Sequence, residues 1–210
     1  VFITHLTEVL KANAATLLNR EDVRSMLDSL KRECPALVKD VEAGVKLGLV
    51  QKVRTLLLEE RVPVNNLEKI LEVVADNPEG DPAHLAETVR SRLGRALVGR
   101  YLDDRGQLAA VILHPATESR LASSILSAQQ GGGLGIAPGE ASRLMDQLAA
   151  AVQNALASGR EPVLLTTAPL RRHLRSIAQR FLPDLTVLAY SELGPTVKVD
   201  VLSTIGLEKN

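Results

Sequence analysis

The chain has 210 residues, with 25 Lys and Arg side chains against 25 Asp and Glu side chains, so its formal net charge at pH 7 is zero. It therefore lacks the basic field that attracts nucleic acid or an anionic membrane surface, and we predict no nucleic-acid partner. Aromatic residues make up 2% of the chain, so stacking platforms for bases or sugars are scarce.

Cysteine and histidine usage points away from metal and redox chemistry. Cys34 is the only cysteine, which excludes an internal disulfide, and no Cys/His spacing indicates zinc. We predict no metal and no cofactor.

No run approaches the roughly 18 apolar residues that span a bilayer. The chain begins with Val1 rather than methionine, which we interpret as the start of a fragment whose upstream part could include a membrane anchor.

The first half is predicted to be a succession of helices. Asn19 can cap a helix that ends before Pro35. Asn65 and Glu68 have the spacing of a capping box, and Pro82 stands at a typical first helical position. Apolar faces at helical spacing support these helices: Val23, Met26, Leu27 and Leu30; Leu49, Val50, Val53, Leu56 and Leu57; Leu67, Ile70, Leu71 and Val74; Leu85, Val89, Leu93 and Leu97.

From about Leu102 the pattern changes to short apolar runs that alternate with helical segments. The runs LAAVIL, PVLLTT, TVLAY and VKVDVLSTI are predicted strands. Between them we predict helices from Pro115 to about Ala128, from Pro138 to Gly159 and from Leu170 to Leu182. The fold class is therefore α+β, with an all-helical subdomain followed by a small α/β subdomain.

The stretch PVLLTTAPLRRHL carries the strongest candidate for ligand chemistry. A strand that feeds a helix presents free N–H groups and a positive dipole end, Thr166 or Thr167 could cap that helix, and Arg171 and Arg172 could add charge. An anion- or nucleotide-binding regulatory or enzymatic domain would use this corner, from Thr166 to Arg172. However, no glycine lets a phosphate approach the backbone, so the alternative is a structural corner with solvated or partner-facing arginines.

Other candidate sites are incomplete. Residues 131–135 are rich in glycine but lack the Lys-Ser/Thr of a phosphate-binding loop and follow a helix, which favours a flexible link. The acidic pairs at residues 59–60 and 103–104 are adjacent, so their side chains do not converge. No histidine lies three or four residues from another one. We therefore predict that the chain is not an enzyme.

Five segments occur in an order that resembles a known family. They are THLTEVL from Thr4, VPVNNLEKILEVVAD from Val62, LGRALVGRY from Leu93, QGGGLGIAPGEASRL from Gln130 and PVLLTTAPLRRHLRSIAQRFLPDLTVLAYSEL from Pro162. Together they resemble the cytoplasmic end of the export-gate proteins of type III secretion systems, of the flagellar FlhA type and the injectisome SctV type. The segment RFLPDLTVLAYSEL slightly favours the flagellar type.

The resemblance implies a specific anatomy. Residues 1–19 would be a helix of a first cytoplasmic subdomain, residues 20–98 the helical third subdomain and residues 99–210 the α/β fourth subdomain. The family implies a nine-membered homo-oligomeric ring at the cytoplasmic face of the bacterial inner membrane. This ring would be non-catalytic and would dock export chaperones with their substrates and the stalk protein of the ATPase complex. Membrane contact would occur only through a missing upstream domain.

Site residues follow from two sources. The resemblance assigns Thr4 to the chaperone-binding hollow, although Thr4 is equally explained as the N-cap of the first helix. Arg171 and Arg172 are candidates for a contact with a neighbouring subunit or the stalk protein, which would have to supply acidic groups. A further alternative is a stand-alone helical adaptor formed by residues 20–98.

Overall fold

A computed structural model describes residues 19–127 and 136–207. Thr4, the predicted first helix and the glycine-rich residues 131–135 lie outside the described residues. The chain divides between Leu97 and Val98 into two compact units, which we call the helical unit and the α/β unit. None of the described helices is both long and apolar enough to cross a membrane.

The helical unit is built from five helices in the described chain: α1 (Arg20–Leu30), α2 (Pro35–Gly44), α3 (Leu47–Glu59), α4 (Leu67–Asp76) and α5 (Pro82–Val98). Helix α1 packs on α3, and α2 packs on α4. Aliphatic side chains at helical spacing are buried in each of them, so packing of these apolar faces stabilises the helices. The core includes Val23, Leu27, Val38, Val41, Val50, Val53, Leu57, Ile70, Leu71, Val74, Leu85, Val89 and Leu93.

Polar side chains at two helix starts confirm the sequence prediction. The Asn19 side chain accepts the N–H of Asp22 at 3.0 Å, and the Asp22 carboxylate accepts the N–H of Asn19 at 2.8 Å. Asp81 accepts the N–H of His84 at 3.0 Å, just before α5. These bonds satisfy donors that the helix itself leaves unpaired.

The predicted cap of α4 is wrong by one residue. Asn66, not Asn65, precedes the helix, and its side chain accepts the N–H of Lys69 at 3.1 Å. Glu68 does not close a capping box. Its carboxylate instead lies 3.5 Å from the Cys34 sulfur, which donates to it.

The α/β unit contains β1 (Gln107–Leu113), α6 (Pro115–Ser127), α7 (Pro138–Ala157), β2 (Val163–Thr166), α8 (Ala168–Ala178), β3 (Val187–Ala189) and β4 (Lys198–Ile205). A short 3₁₀ helix, Tyr190–Glu192, follows β3. The strands form one parallel sheet in the order β3-β2-β1-β4. The predicted fold class is confirmed, since a helical part is followed by a small sheet with its own helices.

The buried cluster of the α/β unit lies between the sheet and its helices. It joins Val111, Leu113, Leu121, Leu144, Leu148, Leu164, Leu170, Leu174, Val187 and Ile205. Since side chains of a strand alternate between the faces of a sheet, this cluster fixes which face of each strand contacts the helices. The ends of β1 and β2 next to α6 and α8 are thereby held close together.

Candidate functional site

The corner between β2 and α8 was the strongest sequence candidate for an anion site. Thr166 ends β2, and Thr167 is the extended N-cap residue of α8. The Thr167 side chain makes no capping bond, and its buried hydroxyl oxygen has no hydrogen-bond partner. The prediction that a threonine side chain caps this helix is therefore wrong.

At this corner, the carboxylate of Glu118, in the first turn of α6, accepts hydrogen bonds that an anionic ligand could otherwise accept. Its Oε1 accepts the Thr166 hydroxyl at 2.7 Å and the Thr167 backbone N–H at 2.8 Å. A carboxylate that accepts hydrogen bonds at a helix N-terminus is stabilised by both the bonds and the dipole. The negative charge at this corner is thus supplied by the protein itself. It would repel an external phosphate or nucleotide, and this argues against such a ligand there.

The negative charge of Glu118 also affects the phenol of Tyr190. Burial raises the pKa of the Tyr190 phenol, and the nearby Glu118 carboxylate raises it further. The phenol is protonated at physiological pH even without this shift, so the raised pKa shows only that burial and the Glu118 carboxylate act on it.

Arg171 and Arg172 have different environments. Arg171 is fully buried, together with Leu174 and Ala178 on the inner face of α8, whereas Arg172 is exposed. The expectation of a solvated or partner-facing side chain is wrong for Arg171, because helical spacing of three and seven residues places it with the apolar side chains. The subunit or stalk contact stays a prediction, and Arg172 has the surface to make it.

The other polar groups do not assemble a reactive centre in the described parts of the chain. No group of three or more His, Cys, Asp or Glu side chains in residues 19–127 and 136–207 could hold a metal ion. Burial raises the pKa of the Cys34 thiol, and its hydrogen bond to Glu68 and the charge of that carboxylate raise it further. The unreactive thiol form is therefore favoured over the thiolate.

The α/β unit has an apolar groove that the sequence reading missed. It has a volume of about 240 Å³, and its walls include Tyr101, Val152, Leu156 and Phe181. Leu156 and Phe181 are 55% and 60% exposed, although both are large apolar side chains. Exposed apolar clusters of this kind are typical of protein–protein contacts. Leu156 belongs to the apolar face of α7, so its exposure could not be read from periodicity.

Comparison with known proteins identifies related sequences along the chain. The FHIPEP family model matches residues 1–198. The flagellar biosynthesis protein FlhA of Escherichia coli K12 is 35% identical over 209 residues, which cover 98% of this chain and 30% of that protein. The chain thus spans about a third of the length of this curated relative.

Solved structures share the fold. The cryo-EM structure of nonameric EPEC SctV-C matches with a TM-score of 0.83 and 26% identity, covering 95% of this chain and 61% of that one. The Chlamydia pneumoniae CdsV and CdsO complex matches with a TM-score of 0.84 and 25% identity, covering 97% of this chain and 60% of that chain.

Proposed function

This chain belongs to the FHIPEP family, and we propose that it is the cytoplasmic part of a type III protein export-gate subunit. In this role it forms a homo-oligomeric ring and docks export chaperones with their substrates, without catalysis of its own. The observation that carries the proposal is a family match over residues 1–198 together with a fold shared with SctV-C and CdsV.

Two of the related structures support the proposed partners. SctV-C is nonameric, which supports a nine-membered ring for this chain. CdsV was solved in complex with CdsO, which supports a second partner. We propose that the corresponding partner here is the stalk protein of the export ATPase. The proposed location is the cytoplasmic face of the bacterial inner membrane, with membrane contact through an upstream domain.

The geometry of the α/β unit supports docking rather than ligand chemistry. The anion-attracting corner is occupied by Glu118, whereas the groove beside Leu156 and Phe181 leaves apolar surface exposed. A docking surface needs exposed apolar contacts, and a catalytic site needs converging polar groups. We further propose that Thr4 contributes to chaperone binding and that Arg172 contributes to a subunit or stalk contact.

The test uses the complete protein in its host. Deleting residues 99–210 while keeping everything upstream should abolish export of type III substrates, with the truncated protein still accumulating in the inner membrane. Export is measured by immunoblotting the culture medium, and accumulation by immunoblotting the membrane fraction. Normal export by the truncated protein would contradict the proposal.

The chaperone contact has its own test. The complete cytoplasmic region should capture a purified chaperone–substrate complex in a pull-down, and Thr4→Val should weaken that capture. Thr16→Val, elsewhere in the predicted first helix, is the matched control. Equal capture by both variants would remove Thr4 from the binding surface.

A further inference from the structure

The helical unit has an open cavity of about 510 Å³ between α1, α3 and the start of α4. One wall is apolar and contains Met26, Leu30, Val64 and Leu67. Another part is polar and includes the hydroxyl groups of Ser25 and Ser29, the amide of Asn65 and the guanidinium of Arg54.

Among the residues that line the cavity, Arg54 has an unusual environment. Its side chain belongs to α3 and is only 6% exposed. Its Nε is buried and has no hydrogen-bond partner, and one of its terminal nitrogens contacts the Met26 sulfur. A thioether is a weak acceptor and carries no charge. In the described ranges, Arg54 has no ion-pair partner within 4.0 Å.

This environment leaves a buried positive charge without full compensation. A guanidinium removed from water is costly unless an anion or several acceptors replace the lost hydration. The Asp22 carboxylate lies near enough to act on Arg54 through space, but its Oδ2 accepts the N–H of Asn19. A carboxylate that entered the cavity would supply the negative charge that the Met26 thioether lacks.

The rim of the cavity limits which anion fits. Asp22 and Glu33 both line it, and their negative charges oppose a doubly charged ligand such as phosphate. A single carboxylate faces less repulsion. The apolar wall favours a carboxylate that arrives with apolar neighbours, because their burial adds free energy that a small ion cannot provide.

We propose that Arg54 binds an acidic side chain, Asp or Glu, that a partner protein presents on a segment with apolar residues on both sides. The carboxylate accepts from the Arg54 guanidinium, the apolar neighbours lie on Met26, Leu30 and Leu67, and Ser25 and Asn65 offer further hydrogen bonds. This contact is a docking site in the helical unit, separate from the groove of the α/β unit and from the predicted roles of Thr4 and Arg172.

The direct test is an NMR titration of the 210-residue chain. The probe is the peptide acetyl-Leu-Glu-Leu-amide at pH 7, and the readout is the side-chain Nε–H signal of Arg54, assigned by its loss in Arg54→Met. We expect a saturable shift of that signal at millimolar peptide, and a much smaller shift with acetyl-Leu-Gln-Leu-amide. Backbone signals of Met26 and Leu67 should shift with the same midpoint in the wild type and in the control Arg24→Met, but not in Arg54→Met.

Three results would overturn the proposal. Equal shifts with the Glu and Gln peptides would show that the charge is not recognised. An equal shift with inorganic phosphate would indicate a general anion site. Sedimentation that shows self-association of the wild type but not of Arg54→Met would indicate a second copy of this chain as the occupant.

Thermal unfolding separates a binding role from a structural one. If Arg54 is an incompletely compensated charge, Arg54→Met should unfold at the same or a higher temperature than the wild type in the absence of peptide. A clear decrease in melting temperature would show that Arg54 stabilises the helical unit through contacts already present, which would contradict the proposal.

Discussion

Glu118 links two parts of the α/β unit that are far apart in sequence. It extends from α6, and its carboxylate holds the end of β2 and the beginning of α8 through Thr166 and Thr167. Hydrogen bonds to a charged acceptor contribute more than neutral ones, and an unpaired buried N–H is costly. We infer that Glu118 is a structural residue of this unit.

Replacing Glu118 should therefore lower the stability of the α/β unit. We expect Glu118→Ala to decrease its free energy of unfolding by about 2 kcal/mol, because two hydrogen bonds to a charged acceptor are lost. Glu118→Gln, which keeps an acceptor but not the charge, should lose less. Urea unfolding followed by tyrosine fluorescence reports this unit selectively, since both tyrosines, Tyr101 and Tyr190, lie in it and the chain has no tryptophan.

The matched control is Glu161→Ala, which removes an exposed carboxylate from the same unit. It should change the free energy of unfolding by less than about 0.5 kcal/mol. If Glu118→Ala behaved like this control, the corner would not depend on the carboxylate.

Because of Asp103, the free energy of unfolding of the chain should depend on pH in the acid range. Its Oδ1 accepts the N–H groups of Gln107 at 2.8 Å and Arg105 at 2.9 Å. The hydrogen bond from Gln107 is the main reason that the Asp103 pKa lies below its usual value, and the bond from Arg105 contributes as well. Because the folded chain binds this proton more weakly, the stabilisation is present above the unfolded pKa and disappears as the pH falls through the folded one.

The measurement compares melting temperatures of the wild type and Asp103→Asn between about pH 6 and about pH 2. The wild type should be the more stable at pH 6, and its advantage should shrink below about pH 4. A difference that stays constant over this range would show that the charge of Asp103 does not act on the turn. Asp104→Asn, one residue further along, serves as the control.

The sequence could predict some of these residue environments and not others. Arg171 is three and seven residues before Leu174 and Ala178, both buried, so helical spacing already indicated the inner face of α8. The prediction gave more importance to its charge than to its position. Glu118 lies 48 residues before its partner Thr166, and nothing local in the sequence connects them. Such long-range polar pairs exist only in the folded chain.

At the scale of secondary structure, strand β4 is held at the edge of the sheet by a side chain. The Gln147 amide of α7 donates to the Gly206 carbonyl at 2.9 Å and accepts the Gly206 N–H at 3.0 Å. A Cβ atom at Gly206 would lie 3.0 Å from the His114 Cβ and the Thr117 hydroxyl oxygen, so only glycine fits without a shift. The end of β4 is thus fixed against α7 and the start of α6.

Removing the Gln147 amide should loosen this end of the sheet. We expect Gln147→Ala to decrease the stability of the α/β unit by about 1 kcal/mol and to accelerate amide exchange in residues 198–207. Hydrogen-exchange mass spectrometry resolves that segment. Gln153→Ala, an exposed position on the same helix, should leave the exchange unchanged. Unchanged exchange in both variants would mean that Gln147 does not hold β4.

Secondary-structure elements were predictable where a cap and an apolar face agree. Helix α1, with Asn19 as its cap, is such a case, and the structure confirms it. Helix α2 was missed, although Pro35 stands at its start as Pro82 does in α5, because Cys34 gives no side-chain cap and only Val38 and Val41 of its residues are buried. Helix α8 ends at Ala178 instead of the predicted Leu182, and turn residues follow it. Pro183 disfavours helical backbone at Leu182, but this does not explain the earlier end.

The strands were likewise only partly predictable from the sequence. All four predicted strands are present. The side chains of β4, however, do not alternate strictly between buried and exposed along the strand. Ala110 pairs with Val201 whereas Val111 pairs with Ser203, so a bulge at Leu202 shifts the register. A bulge depends on the partner strand, and the sequence of β4 alone does not indicate it.

At the scale of the whole molecule, the family match confirms the resemblance that five separated sequence segments indicated. Identity of 35% to a flagellar FlhA, against 26% to SctV-C, agrees with the preference for the flagellar type. The order of these segments was informative because it reflects the arrangement of an entire domain. The surface residues that contact partners were not predictable, since apolar spacing constrains only the core.

Arg172 gives a test of the proposed contact with a neighbouring subunit or stalk. Its side chain is exposed, and Arg172→Glu should reduce export several-fold if it faces an acidic group there. The melting temperature of the variant shows whether the fold is kept. Export by the complete protein in its host is the measurement, and Arg143→Glu on α7 is the control. Normal export with Arg172→Glu would remove this residue from the proposed contact.

The central claim is that this chain is part of a ring-forming export-gate subunit. Negative-stain electron microscopy of the complete protein, purified with its membrane part and imaged over a range of concentrations, tests it most directly. The proposal predicts ring-shaped particles with nine-fold symmetry, as in the nonameric SctV-C. Monomers alone at every concentration would contradict it.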